Sequence, residues 1–261
     1  MKKRLDLLVL ERGLSETRAK AQAAIMAGQV LVEGTPVDKP GAQVAADSRL
    51  ELKSEEPFVS RGGQKLAKAL DKFAIDLEGR IVLDAGASTG GFTDCCLQAG
   101  ALLVYAVDVG YGQLVWSLRT DPRVVSLERT NLRYLKKESF TRGSPDFACL
   151  DLSFISLGLV LPVLAGLGPR ELVALVKPQF EVGRESVGKK GVVRDPGLHL
   201  AVLEKVAQAA DAQGYNLWHL DYSPLRGPQG NIEYLAHFRR DLPPKAPAIP
   251  EAVAAAHAHF R

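Results

Sequence analysis

Cysteine is scarce in this 261-residue chain: Cys95, Cys96 and Cys149 are all there is, and no two of them form a Cys-x-x-Cys pair. Adjacent cysteines do not readily bridge each other, so neither a disulfide framework nor a zinc site is expected, and a reducing cytosol fits. An excess of one charge is also missing. Thirty-three Lys and Arg face 30 Asp and Glu, for a net charge of +3, which suits a nucleic-acid partner without selecting one. No secretory core is expected at the start, because the apolar stretch behind Met1-Lys2-Lys3-Arg4 is broken by Asp6, Glu11 and Arg12. The one long uncharged run, Leu152 to Pro169, contains Pro162 and three glycines. These would break a spanning helix, so the run reads as a strand end followed by a short helix, with no membrane partner.

Composition is that of a soluble globular protein, 46% apolar and 24% charged. The polar stretch Lys53-Ser54-Glu55-Glu56-Pro57 separates two differently patterned regions. Residues 1–53 are expected to form a small α+β module, 54–60 a linker and 61–240 a larger domain, with 241–261 a tail of no assigned function. In the module, Leu5, Leu8 and Val9 have helical spacing, and Ser15 is the expected N-cap of an alanine-rich helix from Glu16 to Ala27. Short strands near Val30-Leu31-Val32, Val37 and Arg49 to Leu52 follow, linked by tight turns. Beyond the linker come five apolar runs, beginning at Ile81, Leu102, Val124, Phe147 and Leu172. Strands this uniformly apolar are buried on both faces, which predicts a doubly wound α/β domain with a mostly parallel sheet. A helix over Leu198 to Gln213 and strands near Asn216 to Asp221 and Glu233 to Phe238 complete it, seven strands in all.

The segment Asp84-Ala85-Gly86-Ala87-Ser88-Thr89-Gly90-Gly91-Phe92 follows a strand and opens a helix, the turn at which open α/β sheets bind ligands. Its glycine spacing is neither the G-x-G-x-x-G of a dinucleotide loop nor a P-loop. Asp108, about twenty residues on, ends the next strand, where a carboxylate can accept from both hydroxyls of a ribose. A nucleoside without a pyrophosphate fits best, and S-adenosylmethionine satisfies this. The expected cofactor residues are Asp84, Gly86, Ser88, Thr89, Gly90, Gly91, Phe92 and Asp108.

Four further polar residues fall where this architecture places side chains over the crevice: Lys65, Asp151, Lys177 and Glu233. The motifs Arg61-Gly62-Gly63-Gln64-Lys65, Asp84 to Thr93, Leu150-Asp151-Leu152-Ser153 and Val176-Lys177-Pro178-Gln179 resemble the TlyA-type ribosomal RNA methyltransferases, a family that often carries a hemolysin label. The resemblance covers about the first 240 residues. It implies an S4 RNA-binding domain joined to a Rossmann-like, FtsJ-like 2′-O-methyltransferase domain, S-adenosylmethionine as cofactor, and Lys65, Asp151, Lys177 and Glu233 as a catalytic tetrad. It also implies cytidine in ribosomal RNA, or in ribosomal subunits, as substrate, and a cytoplasmic location.

A ribose hydroxyl is a weak nucleophile, so methyl transfer needs it aligned and its proton removed or displaced as it attacks. Lys177 is expected to meet the hydroxyl, as base or as a cation stabilising the developing oxyanion, with Asp151 orienting it and Lys65 and Glu233 completing the network. For RNA contacts the front module offers Arg4, Arg12, Arg18, Lys20 and Lys39, although nine basic against seven acidic residues make only a small excess there. The loop from Gln179 to Asp195 adds Lys189 and Lys190, and Arg129, Arg133, Lys136 and Lys137 form another basic cluster, of a kind that is usually a solvated face. His257 and His259 do not share a helix face, and no metal is expected. Rival readings are a methyltransferase with another acceptor, a membrane-lytic protein, and a non-catalytic RNA-binding assembly factor. The intact glycine turn and the tetrad oppose the last.

Overall fold

The computed structural model describes residues 1–53, 56–183, 187–188, 191–242 and 248–261. The chain divides into two compact units, Met1–Glu56 and Pro57–Arg261. The first runs β1 (Lys2–Arg4), α1 (Leu5–Glu11), α2 (Arg18–Met26), β2 (Val30–Val32), β3 (Thr35–Pro36), β4 (Gln43–Ala45) and β5 (Leu50–Leu52). Leu5, Leu8 and Val9 of α1 pack on Ala21 and Ile25 of α2 and on Val30 and Leu50, forming the unit's small core. β2 lies between β3 and β5, both antiparallel to it, and β1 pairs with β4.

The expected cap of α2 is corrected: Thr17, not Ser15, is the N-cap. Thr17 is extended at φ −139° and its hydroxyl accepts from the Lys20 amide at 3.2 Å, satisfying one of the orphan amides of the first turn. Ser15 instead donates to the Thr17 carbonyl at 3.1 Å. A buried carboxylate supports this small core. Asp6 is fully enclosed and accepts from Arg4 and Arg18 at 3.0 Å and from Gln22 at 2.9 Å. Arg4 is the largest cause holding that carboxyl well below the usual carboxylate range.

The second unit continues with α3 (Gly62–Phe73), β6 (Ile81–Ala85), α4 (Gly91–Gln98), β7 (Leu103–Val107), α5 (Trp116–Arg119), β8 (Val124–Leu127), β9 (Phe147–Leu150), α6 (Leu157–Leu167) and β10 (Glu171–Val176). It closes with α7 (Pro178–Glu181), α8 (Pro196–Asp211), β11 (Asn216–Tyr222), β12 (Tyr234–Arg239) and α9 (Ile249–His259). One seven-stranded sheet has the order β11-β12-β10-β9-β6-β7-β8. β6 to β10 are parallel, and β12 runs antiparallel between β10 and β11. The expected α/β class and strand count are both found.

The apolar runs are explained by the two faces. Leu83, Ala85, Tyr105 and Val107 point into one core, with Leu161 of α6 and Val206 of α8. Val82, Val104, Ala106 and Cys149 alternate into the other, with Leu66 of α3 and Phe92 of α4. The period of 2 along each strand sends neighbours to opposite faces, and both faces are covered. The uncharged run becomes α6, whose N-cap Ser156 accepts from the Gly158 amide at 3.2 Å. No helix among the described residues is long and apolar enough to cross a membrane. The tail ends in α9, whose Val253 and Ala256 enter the first of these cores.

Candidate active site

Parallel strands place their carboxyl ends together, and here the ends of β6, β9 and β10 bring the glycine turn, Asp151 and Lys177 to one edge of the sheet. Gly86 leaves β6 at φ +91°, and a Cβ on it would lie 2.5 Å from the Asp151 carbonyl oxygen. A backbone atom cannot give way cheaply, so only glycine fits between the turn and Asp151. Ser88 follows with φ +49°. Its amide donates to Asp108 Oδ2 at 2.8 Å, and the Gly110 amide donates to Oδ1 at 2.7 Å. These bonds fix the Asp108 carboxylate and leave each oxygen acceptor capacity for a ribose. Gly90 is the N-cap of α4, Gly91 its first residue, and Phe92 packs into the core beneath.

Asp84 is fully enclosed behind the turn and accepts from Thr93 Oγ1 at 2.6 Å, while its Oδ1 has no partner among the described residues. Burial pushes this carboxyl up to about 7, helped by the nearby charge of Asp151 and opposed by Thr93. In the unfolded chain the group titrates near 3.8, so between these values the folded state binds the extra proton. Its contribution to stability is therefore full in acid and is lost as pH rises from about 4 through 7. Asp84→Asn, which mimics the protonated acid, is expected to unfold at a higher temperature than the parent at pH 8 and by a smaller margin at pH 5. The difference at pH 8 is about 4 kcal/mol, measured by thermal or urea unfolding, and equal stabilities at pH 8 would refute it.

The tetrad forms two ion pairs. Lys65 sits on α3 and donates to Glu233 Oε2 at 2.6 Å, with side chains 10% and 1% exposed. Lys177 Nζ lies 2.6 Å from Asp151 Oδ1, off the hydrogen-bond direction, and donates to Ser153 Oγ at 2.9 Å. Pro178 at the first position of α7 holds the helical φ that ends the strand at Lys177. Two cavities meet at this point. The larger, ≈ 860 Å³, is lined by Gly86, Asp108, Asn131, Leu152, Ile155 and Gln179 among others. The smaller, ≈ 240 Å³, is lined by Ser60, Arg61, Lys65, Thr89, Asp151 and Arg226 among others. Asp151, Gly86 and Ser88 belong to both.

The larger cavity fits S-adenosylmethionine. It pairs an apolar slot with the Asp108 carboxylate, and the buried Gln179 Oε1 has no hydrogen-bond partner in the protein, an acceptor that a ligand would satisfy. Ser153, Asn131 and Gln179 were not singled out from the sequence. Ser153 and Gln179 do lie inside two of the quoted motifs, whereas no spacing distinguishes Asn131. Gly227 was missed as well: a Cβ there would lie 2.5 Å from Glu233 Oε1, so its absence leaves room for the buried carboxylate.

The expected RNA contacts are placed as follows. Arg4 and Arg18 are turned onto Asp6, and Arg12 donates to the Ala46 and Ser48 carbonyls at 2.6 Å. All three thus also build the front unit. Lys20 pairs with Glu16, and Lys39 is exposed. Lys189 and Lys190 lie outside the described residues. Among the described residues no group of His, Cys, Asp and Glu could hold a metal ion.

Residues 58–240 match the FtsJ-like methyltransferase model and residues 3–50 the S4 domain model. The 16S/23S rRNA (cytidine-2′-O)-methyltransferase TlyA of Mycobacterium tuberculosis is 50% identical over 240 residues, covering 90% of this chain and 89% of that one. Hemolysin A of Brachyspira hyodysenteriae is 44% identical, covering 90% and 99%. A solved structure from Streptococcus thermophilus, also named as a hemolysin, superimposes with a TM-score of 0.78 at 50% identity over 99% of this chain and 97% of that one. With both domain models matched and relatives at this identity, the chain belongs to the TlyA-type family, in which an S4 domain precedes an FtsJ-like, S-adenosylmethionine-dependent methyltransferase domain.

Proposed function

We propose that the chain methylates the 2′-hydroxyl of a cytidine ribose in ribosomal RNA, working in the cytoplasm where ribosomal subunits are found. The observation that carries this reading is the position of the Lys177–Asp151 pair: Asp151 belongs to the walls of both the cofactor cavity and the smaller one. Asp108, Gly86 and Gln179 would hold the cofactor, which supplies an electrophilic methyl group when bound. The acceptor enters the smaller cavity, whose Arg61 and Arg226 suit a polyanion.

Within this arrangement Nζ of Lys177 meets the hydroxyl, and Asp151 and Ser153 fix its direction. A hydroxyl needs such a partner because its proton must leave as the oxygen attacks: the neutral amine of Lys177 takes that proton, or the ammonium stabilises the developing oxyanion while the proton passes to water. A ring nitrogen, which already carries a lone pair, needs none. Lys65 and Glu233, paired and enclosed, hold the far side of the site in one arrangement. Wild-type protein incubated with unmodified ribosomal subunits and methyl-labelled S-adenosylmethionine is expected to put label into 2′-O-methylcytidine, read by nucleoside mass spectrometry. Label only in base-methylated nucleosides or in protein would overturn the assignment.

A further inference from the structure

Aromatic side chains seldom stay in water, yet Trp116 is 75% exposed, Tyr134 73% and Tyr111 66%. All three fall between residues 109 and 137, the stretch that also contains the basic cluster noted in the sequence. Its two acids, Asp121 and Glu128, pair with Arg123 and Arg119. Arg129, Arg133, Lys136 and Lys137 have no acidic partner among the described residues. Two of these cations stack on the exposed rings, Arg129 at 4.2 Å from the Tyr111 centroid and Arg133 at 5.5 Å from that of Tyr134.

The patch is also held rigidly. Glu128 accepts from Arg119 at the end of α5 and from the Gly112 amide at 3.0 Å, joining the segments that carry Trp116 and Tyr111. Arg129 has φ +52° and its amide donates to the Gly110 carbonyl at 2.9 Å. Left-handed backbone in a bulky residue is strained, and such strain persists where a site requires it. Tyr111, Arg119, Ser126, Glu128 and Arg129 line an open recess of ≈ 450 Å³.

We propose that this recess, together with the exposed ring of Trp116 on the same segment, is a docking platform for an unpaired stretch of the RNA substrate, next to Asp108 of the cofactor site through Gly110 and distinct from the S4 unit; the proposal rests on the RNA reading above. Bases stack on Trp116 and on the Arg129–Tyr111 pair, and the unpaired cations face the phosphates. Exposed planes backed by cations match RNA, since every base offers a π-face and its backbone a negative charge. A protein partner would favour a patch poor in lysine, whereas Lys136 and Lys137 stand in this one.

The test uses the full chain in steady-state methylation of unmodified ribosomal RNA, comparing wild type with Trp116→Ala and Arg129→Gly. Each substitution is expected to raise KM for RNA about tenfold, the scale of one lost stacking contact, with kcat and cofactor affinity unchanged. Arg129→Gly relieves the positive φ, so it should lose RNA affinity without losing thermal stability, which a purely structural role would not produce. In a Trp218→Phe background Trp116 is the sole tryptophan, and unmodified ribosomal RNA is expected to quench its emission. An unchanged KM in both variants, or emission indifferent to RNA, overturns the platform while leaving the methyltransferase reading intact. A wild type that methylates no RNA overturns the reading on which it rests.

Discussion

Lys177→Ala is expected to lower kcat for methyl transfer by about 10²- to 10⁴-fold, the range supplied by one positioned acid or base, while cofactor affinity stays within a few-fold of wild type. Lys177 is the cation bound to Asp151 and Ser153, and it belongs to no helix or strand that the fold would lose with it. The variant keeps Gly86, Asp108 and Gln179, which form the cofactor cavity. Stopped methylation with retained binding, read by equilibrium titration with the cofactor, therefore separates chemistry from assembly. A kcat within tenfold of wild type would remove Lys177 from the reaction.

Glu233→Ala is expected to destabilise the catalytic unit by about 3–5 kcal/mol, because it leaves the ammonium of Lys65 enclosed without its counter-charge. The two partners are 168 positions apart in sequence, and Gly227 holds no side chain that could move into the gap. The paired substitution Lys65→Met with Glu233→Leu removes both charges together, and a well-packed apolar pair can equal a buried ion pair in stability. That double variant should recover most of the unfolding free energy in urea yet stay inactive. Recovery of activity along with stability would reduce the pair to a structural element. If Glu233→Ala unfolds at the same urea concentration as the parent, the enclosure of Lys65 is not what fixes Glu233 in place.

The parts of this molecule that were legible from residues alone are those whose signal is local and repeated. Five apolar runs marked the parallel strands, since burial on both faces leaves no polar positions to confuse the period. The turn from Asp84 to Phe92 was legible because only glycine fits the close approach at Gly86. What escaped depended on distant partners. β1 and β4 are three residues each and pair across about forty intervening residues, too short for any period to show. Ser15 and Thr17 are equally good caps by type, and the backbone at Thr17 decided between them. The arginines of the front unit are basic in sequence, yet their engagement with Asp6 and with the Ala46 and Ser48 carbonyls exists only once the chain has folded. In the same way Gln179 and Asn131 acquire meaning from the cavity they line.

The placement of β12 governs the order in which the protein can be completed as it leaves the ribosome. β10 finishes at Val176, but its second neighbour in the sheet is β12, which begins at Tyr234, while β11 reaches the sheet only through β12. Until some sixty further residues have been synthesised, the edge of β10, Glu171-Leu172-Val173-Ala174-Leu175-Val176, stands bare, and an apolar strand with unpaired amides and carbonyls invites wrong partners. The same late strand follows directly on Glu233. The nascent enzyme is thus most prone to aggregation and still without a complete tetrad over one and the same interval of its synthesis.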